Sequence, residues 1–389
     1  MANKKLGAAK KAKNDEFYTQ YSDIQKEIEA YLEYDPDTFR GKVIYSNCDD
    51  PFESNFFRYF ALNFKRLGLK RLITTSYKPS PIANTQLGLF GEDTTEPSAK
   101  GRPKVTANKL IINEVGDMDG DGSFNIRDIA EQLKANKNNE WTPLEGDGDF
   151  RSPECIELLK ESDIVVTNPP FSLFRGYIKQ LIDHDKKFVI IGNMNAITYK
   201  EIFPLLKTNK VWLGAGKNDG RNVWYQVPNT YETYHKMEDG KKYAFVAGTI
   251  WFTNLDHGRR HSAISLMPEA DVIKFGTKKQ FDKYDNYDAI EVPQVKYIPN
   301  DYPGVMGVPI SFLGKYSPDQ FEIVGMCENE DLYQLKTKRY TSAECKQAYL
   351  DKFGKTGTYD LNASGVVVRD GLYEKVYQRV LIKHRKAAV

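Results

Sequence analysis

Cysteine is scarce: Cys48, Cys155, Cys327 and Cys345 are scattered through 389 residues with no Cys-x-x-Cys pair. That spacing excludes a disulfide framework and a cysteine-based zinc site, and it fits a reducing compartment. Long apolar runs are also missing. The best, residues 243–252, contains Gly248 and Thr249 and falls well short of the ~18 residues that span a bilayer. Nor does one sign of charge dominate, since 55 Lys+Arg face 53 Asp+Glu for a net +2. With 40% apolar residues, this balance excludes wholesale disorder. No Gly-x-Ser-x-Gly, Walker loop or His-Glu-x-x-His motif occurs, which removes the commonest hydrolase, NTPase and zinc-protease signatures. The first 13 residues hold five lysines, no acid and no hydrophobic stretch, unlike a secretory signal. The expectation is a soluble, cytoplasmic, globular protein of about two domains.

The charge is unevenly spread. Residues 1–13 form a basic arm, and residues 331–389 carry 12 Lys/Arg against six acids, a local excess of +6. Such clustering fits either a polyanion contact or solvated helix faces and a frayed terminus.

The first half alternates apolar strands with helical patterns. Ser22 is expected to cap a helix through Ile24, Ile28, Tyr31 and Leu32, and Ser54 one through Phe56, Phe57, Phe60 and Phe64. Residues 42–47 (KVIYSN), 71–76 (RLITTS), 109–115, 163–167 (DIVVT), 187–192 (KFVIIG) and 210–213 read as strands. Helices are expected from about Ile126, from Ser152-Pro153 to about Lys160, after a cap at Ser172, and over residues 197–206. Four prolines among Gly, Ser and Thr mark residues 79–103 as a surface loop. Buried strands separated by helices imply a doubly wound α/β domain with a mostly parallel sheet, which binds ligands at the carboxyl ends of its strands. After about residue 215, aromatic, turn-punctuated segments suggest a mixed α/β region with a soft boundary over 215–240.

Asn168-Pro169-Pro170-Phe171 stands directly at the end of the strand DIVVT. Two prolines stiffen the turn and remove two N–H donors, so carbonyls there can face the cleft. An amide oxygen, a fixed carbonyl and an aromatic face suit a planar molecule bearing an exocyclic amino group. The lone pair of such an amine is delocalised into its ring. Two acceptors aligned with its N–H bonds favour the pyramidal geometry that frees the lone pair, which stabilises the transition state. Aligning the amine against an electrophilic methyl group lowers the barrier further by proximity.

This tetrapeptide resembles the Asn-Pro-Pro-Phe/Tyr motif of amino-group methyltransferases that use S-adenosylmethionine. The stretches DIVVTNPPFSLFRGYI, KFVIIGNMNAITYKEIF and AGTIWFTNLDHGRRH together look like the EcoRI-type adenine-specific DNA methyltransferases, strongly from about Asn14 to His261 and more weakly beyond. The resemblance implies a Rossmann-like domain and a bacterial or phage origin. It also implies methylation of adenine N6 in a specific double-stranded DNA sequence, with base flipping. Asn168 and the Pro169 carbonyl would accept the amino protons, Pro170 would shape the turn, and Phe171 would stack on the base. Ser46, Asn47, Cys48, Asp49 and Asp50 would line a cofactor loop lacking the usual glycine pair. Phe17, Tyr18 and Thr19 would close over the cofactor, Asp149 would contact its adenine amino group, and Phe150 would pack on that ring. The acid expected after the second strand is replaced by Thr74-Thr75-Ser76-Tyr77, which leaves the ribose ligand unassigned.

The domain expectation is a basic arm at 1–13, a cofactor-binding and catalytic domain at 14–215, and a target-recognition region at 216–389. The catalytic domain would carry a loop at 78–104 and an insertion at about 115–148; the later region could return strands to its sheet. Arg259, Arg260 and His261 are candidate DNA contacts, since Arg forks suit phosphates and bases. His257 and His261, four apart, lack a nearby third zinc ligand. Residues 117–128 (DMDGDGSFNIRD) have most positions of a calcium loop but Asp where Glu is expected, and no metal is assigned. The expected partners are duplex DNA and a cognate restriction endonuclease, the expected state is monomeric, and no membrane is involved. Rival readings are methylation of RNA or of a protein amide, a DNA-binding protein that lost catalysis, and a calcium-dependent module at Asp117.

Overall fold

The computed structural model describes residues 19–48, 54–77, 107–118, 120, 124–125, 128–129, 131–132, 135, 138–216, 223–227, 234–276 and 280–385. The chain divides into two compact units. The first holds residues 1–203 and 211–258, the second 204–210 and 259–389. No helix among the described residues is long and apolar enough to cross a membrane. Residues 216–258, expected in the later region, thus fall in the first unit.

The first unit is built on an eight-stranded sheet. Its strands are β1 (Val43–Asn47), β2 (Arg71–Thr75), β3 (Asn108–Ile112), β4 (Glu140–Pro143), β5 (Ile164–Thr167), β6 (Lys187–Asn193), β7 (Trp212–Leu213) and β11 (Thr249–Thr253). The order across the sheet is β4-β3-β2-β1-β5-β6-β11-β7. The centre is parallel (β2, β1, β5, β6), as continuous apolar runs such as IVVT predict. β3 and β11 run the other way, so the sheet is mixed and the third strand of the sequence reading is antiparallel to its neighbour.

Helices α1 (Tyr21–Tyr34), α2 (Asn55–Leu62) and α3 (Phe64–Leu67) precede β2; α4 (Pro153–Glu161) and α5 (Phe174–Asp183) flank β5, and α6 (Phe203–Lys207) follows β6. The Ser54 hydroxyl caps α2 by accepting from the Phe56 and Phe57 N–H groups, and Ser152 caps α4, with Pro153 in its first turn. α2 buries Phe56, Phe57, Tyr59 and Phe60 against Ile24, Ile28, Ile44, Val166 and Trp251. Each such ring stabilises the fold by roughly 2–3 kcal/mol through burial.

Two expected caps are corrected. α1 begins at Tyr21, ahead of Ser22, with extended Gln20 before it. α5 begins at Phe174, because a 3-10 turn over Phe171–Leu173 follows the prolines and carries Ser172 out of the capping position. Residues 197–206 hold part of a 3-10 turn (Met194–Thr198) and the start of α6 rather than one helix. The expected loop at 79–103 lies outside the described residues.

A smaller antiparallel sheet, β8 (Val223–Val227), β9 (Lys236–Glu238) and β10 (Lys241–Val246), also belongs to the first unit. The second unit contains α7 (Glu269–Phe275), β12 (Asp282–Lys283), β13 (Ile290–Glu291), β14 (Met306–Pro309), β15 (Phe321–Met326) and α8 (Ser342–Phe353). It ends with β16 (Val366–Arg369), β17 (Leu372–Lys375) and β18 (Arg379–His384). Its main sheet runs β12-β13-β14-β18-β15. A buried ion pair joins Glu291 to Arg379 at 2.6 Å, and the Tyr284 hydroxyl donates to the same carboxylate, so the charge is compensated. Thr341 and Glu344 form a capping box on α8.

Candidate active site

The strand order fixes where a ligand can sit. From β1 the chain moves to one side through β2, β3 and β4, then returns to the other side of β1 with β5. In open α/β sheets a crevice forms outside the carboxyl ends of the strands at such a reversal. Here those ends are Asn47-Cys48 and Thr167-Asn168.

The two ends are stitched together. The Ser46 hydroxyl donates to the Val166 carbonyl at 2.7 Å, and the Thr167 hydroxyl donates to the Asn47 carbonyl. Ser46 is fully buried, so its side chain serves this contact between strands. Asn168 follows with only 6% exposure, Pro169 is buried and Pro170 half-buried. The Pro170 carbonyl accepts from the Leu173 N–H at 2.9 Å, closing the 3-10 turn. Among the described residues no hydrogen bond reaches the Pro169 carbonyl. Phe171 is half-buried and packs against the cluster that contains Phe56, Ile191 and Trp251.

Cys48 has φ 64°, in the left-handed region that a non-glycine residue adopts at a cost of about 1 kcal/mol or more. It is half-buried. Beside it, Asn47 is 1% exposed, and its Oδ1 accepts from the Tyr177 hydroxyl of α5. Tyr177 also meets Phe150 edge-on at 4.9 Å, so one buried tyrosine braces two expected cofactor residues. Tyr177 was not singled out by sequence; its hydroxyl was the available signal, because a buried tyrosine needs a partner.

Asp149 and Phe150 lie in a loop pressed onto the end of β2. Gly148 has φ 78°, and a Cβ there would overlap the Ser76 carbonyl. The Asp149 carboxylate accepts from Arg151 Nε at 2.8 Å and Nη2 at 2.6 Å, while the Arg151 guanidinium lies 5.3 Å over the Phe150 ring. Hydrogen bonding to Asp149 and its charge raise the Arg151 pKa further above its ordinary value. Arg151 was not singled out by sequence. Where a ribose acid was expected, Ser76 pairs with Asn108 through both backbone and hydroxyl, and the Thr75 hydroxyl lies 3.0 Å from that of Tyr45.

Thr19 lines a cavity of about 200 Å³ with Asp23, Ile191, Tyr225, Ile250 and Trp251. Its carbonyl accepts from Asn55 Nδ2 at 2.7 Å; its hydroxyl is buried and makes no hydrogen bond among the described residues. Ile191 and Trp251 belong both to this cavity and to the cluster under Phe171. Phe17, Tyr18, Asp49 and Asp50 lie outside the described residues.

The remaining candidates are elsewhere. His257 is buried, its Nε2 3.0 Å from the Leu213 carbonyl and its ring edge-on to Tyr31. Arg259, Arg260 and His261 form a 3-10 turn with Gly258. There Arg259 is exposed, Arg260 Nη2 donates to Asn209 Oδ1 at 3.2 Å, and His261 Nδ1 lies 3.1 Å from Asp319. In the calcium-loop-like stretch, to which no metal was assigned, Asp128 is buried and accepts from the Met118 and Asn125 N–H groups at 2.7 Å each, an internal cap. Among the described residues no cluster of three metal-ligating side chains occurs.

A family model described as adenine-specific methyltransferase EcoRI matches residues 5–385. The chain is 46% identical over 331 residues to the Type II methyltransferase M.EcoRI of Escherichia coli, covering 83% of this chain and 89% of that protein. It is 35% identical over 340 residues to the Type II methyltransferase M.MpnI of Mycoplasma pneumoniae, covering 85% and 89% respectively. It is 36% identical to M.MgeORF184P of Mycoplasma genitalium, covering 85% and 90%. No solved structure matches. A mixed α/β sheet with Asn-Pro-Pro-Phe at its strand reversal, carried on a chain with these relatives, defines a methyltransferase. The chain belongs to the EcoRI family of adenine-specific methyltransferases.

Proposed function

We propose that this protein transfers the methyl group of S-adenosylmethionine to the N6 amino group of adenine within a specific duplex DNA sequence, in the cytoplasm of a bacterium or during phage growth. The observation that carries the reading is the corner at Asn168, set at the strand reversal with the Pro170 carbonyl spent and the Pro169 carbonyl not. The central parallel strands around β1 support a Rossmann-like domain, and the basic residues 331–389 support target recognition by the second unit.

The residues present suit such a cofactor. Gly148 lets the Asp149 loop approach β2, Cys48 stands at the strand reversal with left-handed backbone, and Thr19 brings a buried hydroxyl without a hydrogen bond among the described residues to a cavity of about 200 Å³. When bound, S-adenosylmethionine supplies an electrophilic methyl on a sulfonium. Thr19, Asn47, Cys48, Asp149 and Phe150 would hold it, together with Phe17, Tyr18, Asp49 and Asp50.

The chain's own part is positional. The target adenine must leave the helix, at a cost of a few kcal/mol. Asn168 Oδ1 and the Pro169 carbonyl then accept its two amino protons, Phe171 stacks on the ring, and Pro170 keeps the turn rigid. With the amine so held, its lone pair would face the methyl of the bound cofactor, the N–C bond forming as the S–C bond breaks to leave S-adenosylhomocysteine, and the surplus proton would pass to solvent. The relatives' Type II designation supports a cognate restriction endonuclease reading the same site.

Labelled cofactor offered with duplex DNA, structured RNA and protein extract tests this. Label is expected in N6-methyladenine of duplex DNA, whereas transfer to RNA or protein alone overturns the reading.

A further inference from the structure

The small sheet of β8, β10 and β9 has two unlike faces. Tyr225, Val227, Ala244 and Val246 are buried on one. The register sets Phe245 opposite Trp224 and Tyr243 opposite Lys236 on the other. There Trp224 stays 37% exposed, with its ring 5.2 Å from Phe245 and 6.5 Å from His235. Lys236 Nζ lies 4.5 Å from the Trp224 ring centre and 5.2 Å from that of Tyr243. An outward face of an antiparallel sheet is ordinarily polar; this one is made of rings interleaved with a cation.

Its place matters. β10 passes through Ala247 and Gly248 into β11, where the Gly248 carbonyl accepts from the Met194 N–H at 2.6 Å and Thr249 pairs with Asn193. Asn193 is the last residue of β6, so the small sheet is rooted on the same carboxyl edge as the Asn168 corner. We infer that this outward face is a DNA contact: a stacking platform for bases uncovered when the target adenine leaves the helix, with Lys236 set towards the phosphates. The inference rests on the DNA-methylating reading.

The chemistry favours nucleic acid over a protein partner. Lysine is depleted in protein interfaces, whereas ring faces with interleaved cations accept bases of any sequence. Residues 234–246 carry Lys236, Lys241, Lys242 and His235 against Glu238 and Asp239. Lys236 also pairs with Glu238 at 2.9 Å, so the rings, more than the charge, define the surface.

The test uses the full chain and a duplex fragment that the wild type methylates. Trp224→Ala should weaken binding about ten-fold, the loss of one base–aromatic contact. Trp224→Phe should restore most of it. Lys236→Met should weaken binding less and flatten its salt dependence. Melting temperature and binding of S-adenosylhomocysteine should stay at wild-type values in Trp224→Phe and Lys236→Met, which guards against misfolding of Trp224→Ala. Unchanged DNA affinity in the folded variants, beside an active wild type, overturns the inference alone. A wild type that methylates no DNA overturns the functional reading beneath it, and the inference with it.

Discussion

Cys48 shows how much one residue can carry. Its left-handed backbone closes β1 without the glycine that such loops commonly use, and its side chain is the one half-buried thiol among three buried ones. Burial raises the Cys155 thiol above its ordinary value, and burial pushes Cys327 well above it, so neither offers much thiolate near neutrality. Alkylation of the native protein at neutral pH should therefore modify Cys48 first, and S-adenosylhomocysteine should slow it. Mass spectrometry checks this; earlier labelling of Cys155 or Cys327, or no protection, would count against a cofactor beside β1. Capping residues were partly legible at this scale. Ser54 and Ser152 cap as their neighbours imply, whereas Ser172 does not, because two prolines impose a 3-10 turn that letter patterns do not announce.

At the scale of elements, the central strands were legible because a strand buried on both faces must be apolar throughout. Direction was not. β3 and β11 are as apolar as the parallel strands, and nothing in a run of hydrophobic letters states which neighbour it will pair with. β4, exposed along its whole length, offered no apolar signal at all. The contact between the 148–151 loop and β2 was equally hidden, since one of the two glycines in GDGDFRS carries it. Gly148→Ala should lower stability by about 1–2 kcal/mol from its positive φ alone, with more from the overlap on Ser76, and should weaken cofactor binding. Urea unfolding and calorimetry measure both; a neutral substitution would show that the loop does not pack on β2 as described.

For the whole molecule, the Asn-Pro-Pro-Phe motif pointed to methyl transfer, as the family bears out, whereas the basic bias of residues 331–389 fits a polyanion contact and solvated helix faces equally. The division after residue 258 was less visible, because β11 returns to the first sheet from within an aromatic stretch that reads like the region after it. If Arg259 and Arg260 touch phosphates, replacing both with Gln should weaken DNA binding and reduce the slope of log K against log salt by about 1 for each phosphate no longer neutralised. An unchanged slope removes them from the interface.

The account depends most on two oxygens at the end of β5, and the single-turnover rate of Asn168→Ala on bound duplex DNA tests that most directly. The rate should fall by about 100-fold or more, the usual effect of removing one aligned transition-state hydrogen bond, while DNA affinity stays within about three-fold of wild type. A variant that transfers methyl groups at close to the wild-type rate would contradict the assignment.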